Sequence, residues 1–273
     1  MNLKFLTVIY FLSAILAGFF WLNYPHQLVS LAEATDNSSQ EIIDIDRLES
    51  NDVIYLGENH NNTEDHARQL EIIEQLEQDT NNAQLAIALE MFQRPFQPIL
   101  NRYVAREISE AELRKQTEYD TRWGFDWKFY APILRYARQQ QIPLIALNTP
   151  EEITSKVATN GINSLEGSDF RYIPLLEQIE LDNREYKQDI EEVYLQHVEN
   201  GQGHSTELDN FFAAQVLWDE TMAEAIALYY HNNPQSQIVV LVGKAHVMKD
   251  YAIPNRVKRR IGDKSFQDVV RLL

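Results

Sequence analysis

Val53-Ile54-Tyr55-Leu56-Gly57-Glu58-Asn59-His60 has a counterpart near the other end of the chain in Val239-Val240-Leu241-Val242-Gly243-Lys244-Ala245-His246. Each stretch consists of four apolar residues, a glycine, two variable residues and a histidine. The apolar run is typical of a strand buried on both faces, and the glycine permits a tight exit from it. The histidine then follows the strand's carboxyl end, where open α/β sheets place ligand sites. One copy alone is equally well explained as an ordinary strand exit, whereas two copies in one sheet favour a shared site.

The segments around these two strands alternate between apolar runs and amphipathic helical patterns. Further strands are predicted at residues 84–89, at 143–147 and, as an edge strand, at 267–272. This alternation predicts an α/β fold with a mostly parallel sheet of about four or five strands covered by helices. Residues from about 160 to 205 are acidic and helical in pattern, so we expect a helical insertion that caps the sheet edge.

The composition narrows the class of protein. The 273 residues are 44% hydrophobic and 11% aromatic, which suffices for a full core. With 41 acidic and 24 basic residues the formal net charge is −17, which would repel a phosphate backbone, so we expect no nucleic-acid partner. The chain has no cysteine, which excludes disulfides, thiolate ligands, a cysteine nucleophile and lipid attachment through an N-terminal cysteine.

The N-terminal segment predicts export. Residues 5–22 are almost unbroken apolar and follow Lys4; about 18 such residues can just cross a bilayer as a helix. Ala32-Glu33-Ala34 offers a cleavage pattern farther downstream. We expect residues 1–40 to be a signal peptide or membrane anchor with a polar linker, with an uncleaved anchor favoured, and the α/β domain to occupy 41–273. The domain would lie on the extracytoplasmic face of a membrane, either anchored or released after signal cleavage.

Polar residues at the predicted strand ends form the candidate site. Glu58 and His60 follow the first strand, Glu90 the second and His246 the last. As ligands, His60, Glu90 and His246 would suit a divalent transition metal such as Zn²⁺, Mn²⁺ or Fe²⁺, which could activate water for hydrolysis. Without a metal, Glu58, His60, Glu90 and His246 could serve as a general base and its acid partner. For Glu90 alone, a helix cap or a salt bridge is the alternative.

An aromatic-rich segment precedes the third strand and suggests a different ligand. Residues 119–127 are rich in aromatic side chains, which is typical of packing in the core or in a lid. Tyr119, Asp120 and Arg122 lie among them and could point into a cleft. A cleft of this kind could hold haem, for which tyrosine is a known ligand and Arg122 or Arg68 would pair with the propionates. Together with Asn148 at the end of the third strand, Tyr119 and Arg122 are the predicted cofactor-binding residues.

Several known catalytic patterns are missing from the sequence. It has no Gly-x-Ser-x-Gly elbow, no Walker loop and no His-Glu-x-x-His. These absences argue against a serine hydrolase, a nucleotide hydrolase and the commonest kind of zinc protease.

Separated motifs together resemble the ChaN-like haem-binding uptake family. They match in order over about residues 52–260 and are Tyr55-Leu56-Gly57-Glu58-Asn59-His60, Ala88-Leu89-Glu90-Met91-Phe92, Tyr119-Asp120 with Trp123, Leu147-Asn148-Thr149-Pro150, Leu217-Trp218-Asp219-Glu220-Thr221-Met222-Ala223 and Val242-Gly243-Lys244-Ala245-His246. The family is similar to Tiki-type metalloproteases and erythromycin-esterase-like hydrolases within the Tiki superfamily.

The resemblance implies a function and a site. It implies an α/β domain with helical additions, and a superfamily site made of His60, His246 and Glu90 with Glu58 beside them. It further implies tyrosine-ligated haem at a homodimer contact, within iron uptake. The leading hypothesis is therefore an exported, membrane-tethered haem-binding protein of iron or haem uptake. The alternative is a divalent-metal-dependent hydrolase or peptidase acting on a small molecule or peptide. A third hypothesis is a scaffold in which these residues form a structural cluster.

Overall fold

Five parallel strands form the sheet. They are β1 (Val53–Glu58), β2 (Gln84–Gln93), β3 (Leu144–Asn148), β4 (Ser236–Gly243) and β5 (Asp268–Leu272), in the order β3-β2-β4-β1-β5. The structure is a computed structural model that describes residues 48–78, 84–199 and 207–273. The predicted export segment and linker lie outside these ranges. The α/β fold, the parallel sheet and the edge position of the last strand are confirmed.

Helices follow the strands and cover both faces of the sheet. Their bounds are α1 (Thr63–Gln78), α2 (Gln97–Val104), α3 (Glu110–Gln116), α4 (Tyr119–Arg122), α5 (Trp127–Gln140), α6 (Glu151–Asn160), α7 (Arg184–Glu199), α8 (Leu208–Asn232) and α9 (Ile253–Ile261). Between α6 and α7 the chain forms three short 3-10 turns. The segment predicted as a helical insertion thus contains α7 and these turns, while residues 200–206 lie outside the described part.

Alternating side chains of each strand enter two separate cores. Leu56, Leu89 and Leu241 pack on one face against α1, α2 and α5. Tyr55 and Val240 pack on the other face against α8 and α9. The first half of α8 extends past the sheet and packs against α6 and α7 in a third cluster. Because α8 belongs to both of the latter cores, it fixes the cap relative to the sheet.

A buried ion cluster ties α8 to α9. Glu220 is 0% exposed, and its carboxylate accepts hydrogen bonds from Arg256, Arg259 and Arg260. Burial would raise the pKa of the Glu220 carboxyl, but the three guanidinium groups hold it below its usual value. An unpaired carboxylate buried at this position would destabilise the fold. The arginines of α9 offset this cost.

The order of the strands locates the ligand edge. The chain leaves β2 towards β3 and leaves β4 towards β5 on the opposite side. Connections that diverge from two adjacent strands open a crevice at their carboxyl ends. Glu58 pairs in register with Gly243 at the ends of β1 and β4, so the two repeated motifs finish side by side.

The second strand differs from the sequence prediction. β2 continues past the predicted end at residue 89 to Gln93, with an irregular register to β3 between Leu89 and Gln93, so Glu90 lies within the strand. Across the described ranges, no helix combines the length and apolarity needed to cross a bilayer.

Candidate functional site

Five side chains meet at the carboxyl ends of β1, β2 and β4, and we call them the strand-end cluster. All five side chains are buried, with 2–5% of their surface exposed. They are Glu58, His60, Glu90, Asp219 and His246. The structure thus brings together the four residues predicted as catalytic and adds an aspartate from α8. Whether these residues have a catalytic or metal-binding role stays a prediction.

Glu58 orients His60. The Nδ1 atom of His60 lies 2.8 Å from Oε1 of Glu58. The same oxygen accepts a 2.5 Å hydrogen bond from the hydroxyl of Tyr130, and Oε2 accepts a 2.5 Å hydrogen bond from Nε2 of Gln69. His66, which stacks on Phe129, places Nδ1 3.6 Å from Oε2 of Glu58. The carboxylate is therefore fixed by α1 and α5, and it fixes the imidazole in turn.

Asp219 orients His246 in the same manner. The Nδ1 atom of His246 lies 2.5 Å from Oδ1 of Asp219, and the hydroxyl of Tyr186 donates to Oδ2 at 2.9 Å. His246 lies in a short 3-10 turn that follows β4, whereas Asp219 projects from the buried side of α8. Each histidine consequently has one ring nitrogen held by a carboxylate, an arrangement that fixes the ring and raises its basicity.

Glu90 lies between the two imidazoles. Its Oε1 is 3.5 Å from Nε2 of His246, and its Oε2 is 4.0 Å from Nε2 of His60. The backbone N–H of Gly243 donates to Oε2 at 2.7 Å, which ties β2 to the end of β4. Two carboxylate-oriented imidazoles that present Nε2 to a third carboxylate are suited to moving a proton.

Charges within the cluster outweigh the effect of burial on its acids. Burial alone would raise the pKa of Glu58, but the hydrogen bond from His60 and the nearby histidine charges hold it below its usual value. The pKa of Glu90 is lowered against the same burial effect, chiefly by His246 and His60. Burial would lower the pKa of His246, yet the charges of Asp219 and Glu90 raise it to about 10. The cluster thus favours ionised carboxylates beside a protonated His246.

Gly243 is needed for the close approach of His60. A Cβ atom at this position would lie 2.8 Å from Nε2 and 3.0 Å from Cε1 of the His60 ring. These distances are too short for a side chain to be accommodated without moving the imidazole. The glycine of the second repeated motif therefore makes room for the histidine of the first.

The aromatic segment covers His60. The ring centroids of Trp123 and Phe125 lie 4.9 Å and 4.7 Å from that of His60. These contacts agree with the prediction that the aromatic side chains of this segment pack in the core or in a lid.

Tyr119 instead points into the core. It is 1% exposed and packs edge-on against Trp127 at 4.7 Å. Glu118, the residue just before α4, has a left-handed backbone with φ of 52°.

The other two predicted cofactor-binding residues have polar partners within the protein. Arg122 donates to Glu118 at 2.7 Å and to Glu152 at 2.7 Å. The amide of Asn148 donates to the carbonyl of Glu90 at 3.1 Å, so it ties the ends of β2 and β3 together. Arg68, the second candidate for a propionate, pairs with Glu71 on the exposed side of α1.

A cleft opens between α6 and α8 beside the cluster. The residues that line it include Glu90, Arg122, Asn148, Glu151 and Gln215. Its enclosed volume is about 60 Å³, enough for a few water molecules or a small organic group. Arg122 and Asn148 both line this cleft, and a role for them in binding a cofactor stays a prediction.

The predicted metal ligands do not surround a common point as they are placed. Within the described ranges, no group of three His, Asp or Glu side chains is arranged to hold a metal ion.

Asp219 is the residue that sequence reasoning missed. It is 27 positions from His246 and on a different element, so no local spacing links the two. One signal was available: α8 carries an aspartate among core-facing apolar residues, and a buried carboxylate normally has a charged or hydrogen-bonding partner.

The fold and site define an α/β protein with a histidine–carboxylate centre at the switch point of a parallel sheet. Residues 45–257 match the family described as haem-binding uptake, Tiki superfamily, ChaN. The match covers most of the chain, and the chain belongs to this family.

The chain is similar to several known proteins in structure or in sequence. A structure describing cofacial haem binding to ChaN of Campylobacter jejuni has a TM-score of 0.65 and 24% identity, covering 84% of this chain and 83% of that one. An erythromycin esterase mutant in its open conformation has a TM-score of 0.45 and 12% identity, covering 82% and 70% of the two chains. Protein RETICULATA-RELATED 5, chloroplastic, from Arabidopsis thaliana is 31% identical over 122 residues, which is 43% of this chain and 16% of that protein.

Proposed function

We propose that the protein binds haem and acts in iron or haem uptake or handling. The observation that carries this proposal is membership of the haem-binding uptake family across residues 45–257. The fold shared with ChaN of Campylobacter jejuni supports it. When bound, haem would supply iron to be delivered or stored, and the chain's residues would hold and orient it.

Burial limits which tyrosines can reach a haem iron. Tyr55, Tyr103, Tyr119 and Tyr130 are 0–1% exposed, and burial raises the pKa of each phenol. Both effects oppose ligation, since the iron ligand is an accessible phenolate. Among the tyrosines that the structure describes, the partly exposed ones are therefore the candidates for an iron ligand.

Among these candidates, we infer that Tyr172 is the iron ligand. It is partly exposed, and the guanidinium carbon of Arg171 lies 5.2 Å from its ring centroid. Leu175 and Leu176, just beyond it, are 48% and 38% exposed. Leucines can cover a porphyrin face, an arginine can pair with a propionate, and the phenol can ligate the iron. We assign haem to this surface, which comprises residues 171–176.

Absorption titration of the purified protein with haem tests the function. The expected result is a saturable Soret change at a near-stoichiometric ratio, and the absence of saturation would reject haem binding. Tyr172→Phe tests the assignment, with Tyr136→Phe as a control because Tyr136 is also partly exposed but lies on α5. Loss of the tyrosinate spectrum in Tyr172→Phe alone is expected. A spectrum unchanged in both variants would leave haem binding intact and refute the assignment to residues 171–176.

We further propose that the protein is exported and tethered to a membrane through residues 5–22, with its domain on the extracytoplasmic face. The apolar run after Lys4 supports this proposal. We also propose a homodimer in the haem-loaded state. Membrane fractionation tests the tether, and sedimentation with and without haem tests the dimer. A chain that stays in the soluble cytoplasmic fraction, or one that is monomeric when loaded with haem, would refute the respective proposal.

A second candidate function is hydrolysis of a small molecule or peptide at the strand-end cluster. The observation that favours it is the pair of imidazoles, each held at Nδ1 by a carboxylate and each facing Glu90. Because His246 favours its protonated form, it would serve as the general acid, and His60, oriented by Glu58, would take the proton from water. Dependence on a divalent metal stays a prediction, because the ligands do not surround one point as placed.

Metal content and hydrolysis can be measured on the same protein preparation. His246→Ala should lose any bound metal and any hydrolysis, whereas the control His231→Ala, which changes an exposed histidine of α8, should keep both. Hydrolysis that persists in His246→Ala would refute this candidate function without affecting the haem proposal.

A further inference from the structure

Two residues that line the cleft between α6 and α8 each have a buried polar atom with no hydrogen-bond partner in the described part of the chain. The atoms are Nε2 of Gln215, whose residue is 6% exposed, and Oε1 of Glu151. Buried polar groups in folded proteins nearly always have partners, and each one left without a partner is destabilising. A donor and an acceptor that line one cleft therefore indicate a ligand with the complementary pair of groups.

The charges around the cleft select against an anion. Glu90 and Glu151 both line it, and the cation among the lining residues is Arg122. Arg122 already donates to Glu118, Glu152 and Gln93. A carboxylate ligand would meet two acids and an arginine that is already neutralised, whereas a neutral group that donates N–H bonds would not be repelled.

The walls of the cleft provide apolar contact. Phe211, Ala214 and Trp218 come from α8, and Ala158 comes from α6. The indole N–H of Trp218 donates to the hydroxyl of Thr154 at 2.9 Å, which fixes this wall to α6. A ligand with a small apolar body would fit against these side chains.

We propose that the cleft binds a small neutral carboxamide with an aliphatic substituent, whose carbonyl accepts from Gln215 and whose N–H donates to Glu151. The amide is the simplest group that satisfies both atoms, and the aliphatic part lies against Phe211 and Trp218. Glu90 of the strand-end cluster also lines the cleft, so the bound amide would lie near this cluster. This inference goes beyond haem binding and depends on neither the haem surface nor catalysis by the cluster.

Isobutyramide and isobutyrate are matched probes, because they share one shape and differ in charge and in the N–H donor. The measurement is the indole N–H shift of Trp218 in the full chain, prepared with isotope-labelled tryptophan, as each probe is added. Isobutyramide should give a shift that saturates in the millimolar range. Isobutyrate should bind more weakly, by a factor of about ten or more. A shift that fails to saturate with the amide, or that is equal for the two probes, would overturn the proposal.

Variants locate the binding. Gln215→Leu should weaken amide binding about tenfold by removing the donor, whereas Gln188→Leu, at an exposed position on α7, should leave it unchanged. Ser155→Leu, which lines the cleft from α6, retains Gln215 and should block binding by filling the space. If Gln215→Leu does not fold, the Ser155→Leu variant tests the proposal. Amide binding at wild-type strength in Ser155→Leu would overturn it.

Discussion

Nδ1 of His246 lies 2.5 Å from Oδ1 of Asp219, and both groups are buried. The contact joins the turn after β4 to the middle of α8, so the last strand and the longest described helix share one charged pair. On the other side of Glu90, His60 and Glu58 repeat the relationship with a 2.8 Å contact. The cluster therefore consists of two imidazole–carboxylate pairs that face one acid.

Asp219→Asn should lower the pKa of His246. The charge of Asp219 is the largest influence that raises this pKa to about 10 against the effect of burial. A folded-state pKa above the unfolded value of about 6.5 stabilises the fold fully below pH 6.5 and progressively less as the pH rises towards 10. Histidine NMR titration measures the shift, and an unchanged pKa in Asp219→Asn would contradict the account. Asp209→Asn is a suitable control, because Asp209 lies on α8 near its exposed start.

Gly243→Ala should displace His60. The added methyl would meet the ring at 2.8 Å, and overpacking of this kind typically costs about 1–3 kcal/mol. Gly57→Ala is the matched control, because its Cβ would meet Leu272 and Val247 at 2.9 and 3.0 Å rather than the histidine. Both variants should unfold at lower denaturant concentration, whereas only Gly243→Ala should shift the His60 resonances. Equal His60 shifts in the two variants would show that the glycine has no specific role at the cluster.

Glu220→Gln should destabilise the fold by about 3–5 kcal/mol, because three arginines of α9 would lose their buried counter-charge. The pKa of Glu220 is held below its usual value, so its stabilising effect is present at neutral pH and is lost as the pH falls through that lowered pKa. Denaturant unfolding at neutral and acidic pH measures this effect. The control Glu192→Gln changes an exposed acid of α7 and should alter the unfolding free energy little. Equal stability of the two variants at neutral pH would refute the structural role of Glu220.

Glu151→Gln should stabilise the protein above neutral pH. Burial raises the pKa of this carboxyl to about 7, so in the wild type its ionisation opposes folding as the pH rises from about 4.5 to 7. The full shift would correspond to about 3 kcal/mol, but the side chain keeps some contact with water, so we expect a gain of about 1 kcal/mol. Unfolding free energies at pH 5 and pH 8 test this, with Glu152→Gln as the neighbouring control. A gain of the same size at both pH values would contradict the raised pKa.

The repeated motif made the centre of the site predictable, but not its surroundings. Gly57 and Gly243 each mark a strand exit with a histidine three residues later. This pattern was enough to predict that His60 and His246 lie at the same edge of the sheet. Glu90 was predictable because it ends an apolar run. Pairings between distant elements have no sequence period, and Asp219 was missed for this reason.

Polar residues near the site were harder to interpret from sequence. Asn148 lies where it was predicted, yet its amide joins the ends of β2 and β3. Tyr119 was predicted to face a cleft, but it is 1% exposed and lies in the core. Only the path of the backbone in three dimensions decides whether such a side chain meets solvent, a ligand or another strand.

Haem content of the purified chain tests the central claim most directly. The full-length protein is produced in cells supplied with haem, purified without added cofactor, and assayed for haem per polypeptide by absorption and iron analysis. The account predicts a near-stoichiometric haem content that falls in Tyr172→Phe and stays unchanged in Tyr136→Phe. A wild-type protein that carries no haem and takes up none on titration would contradict it.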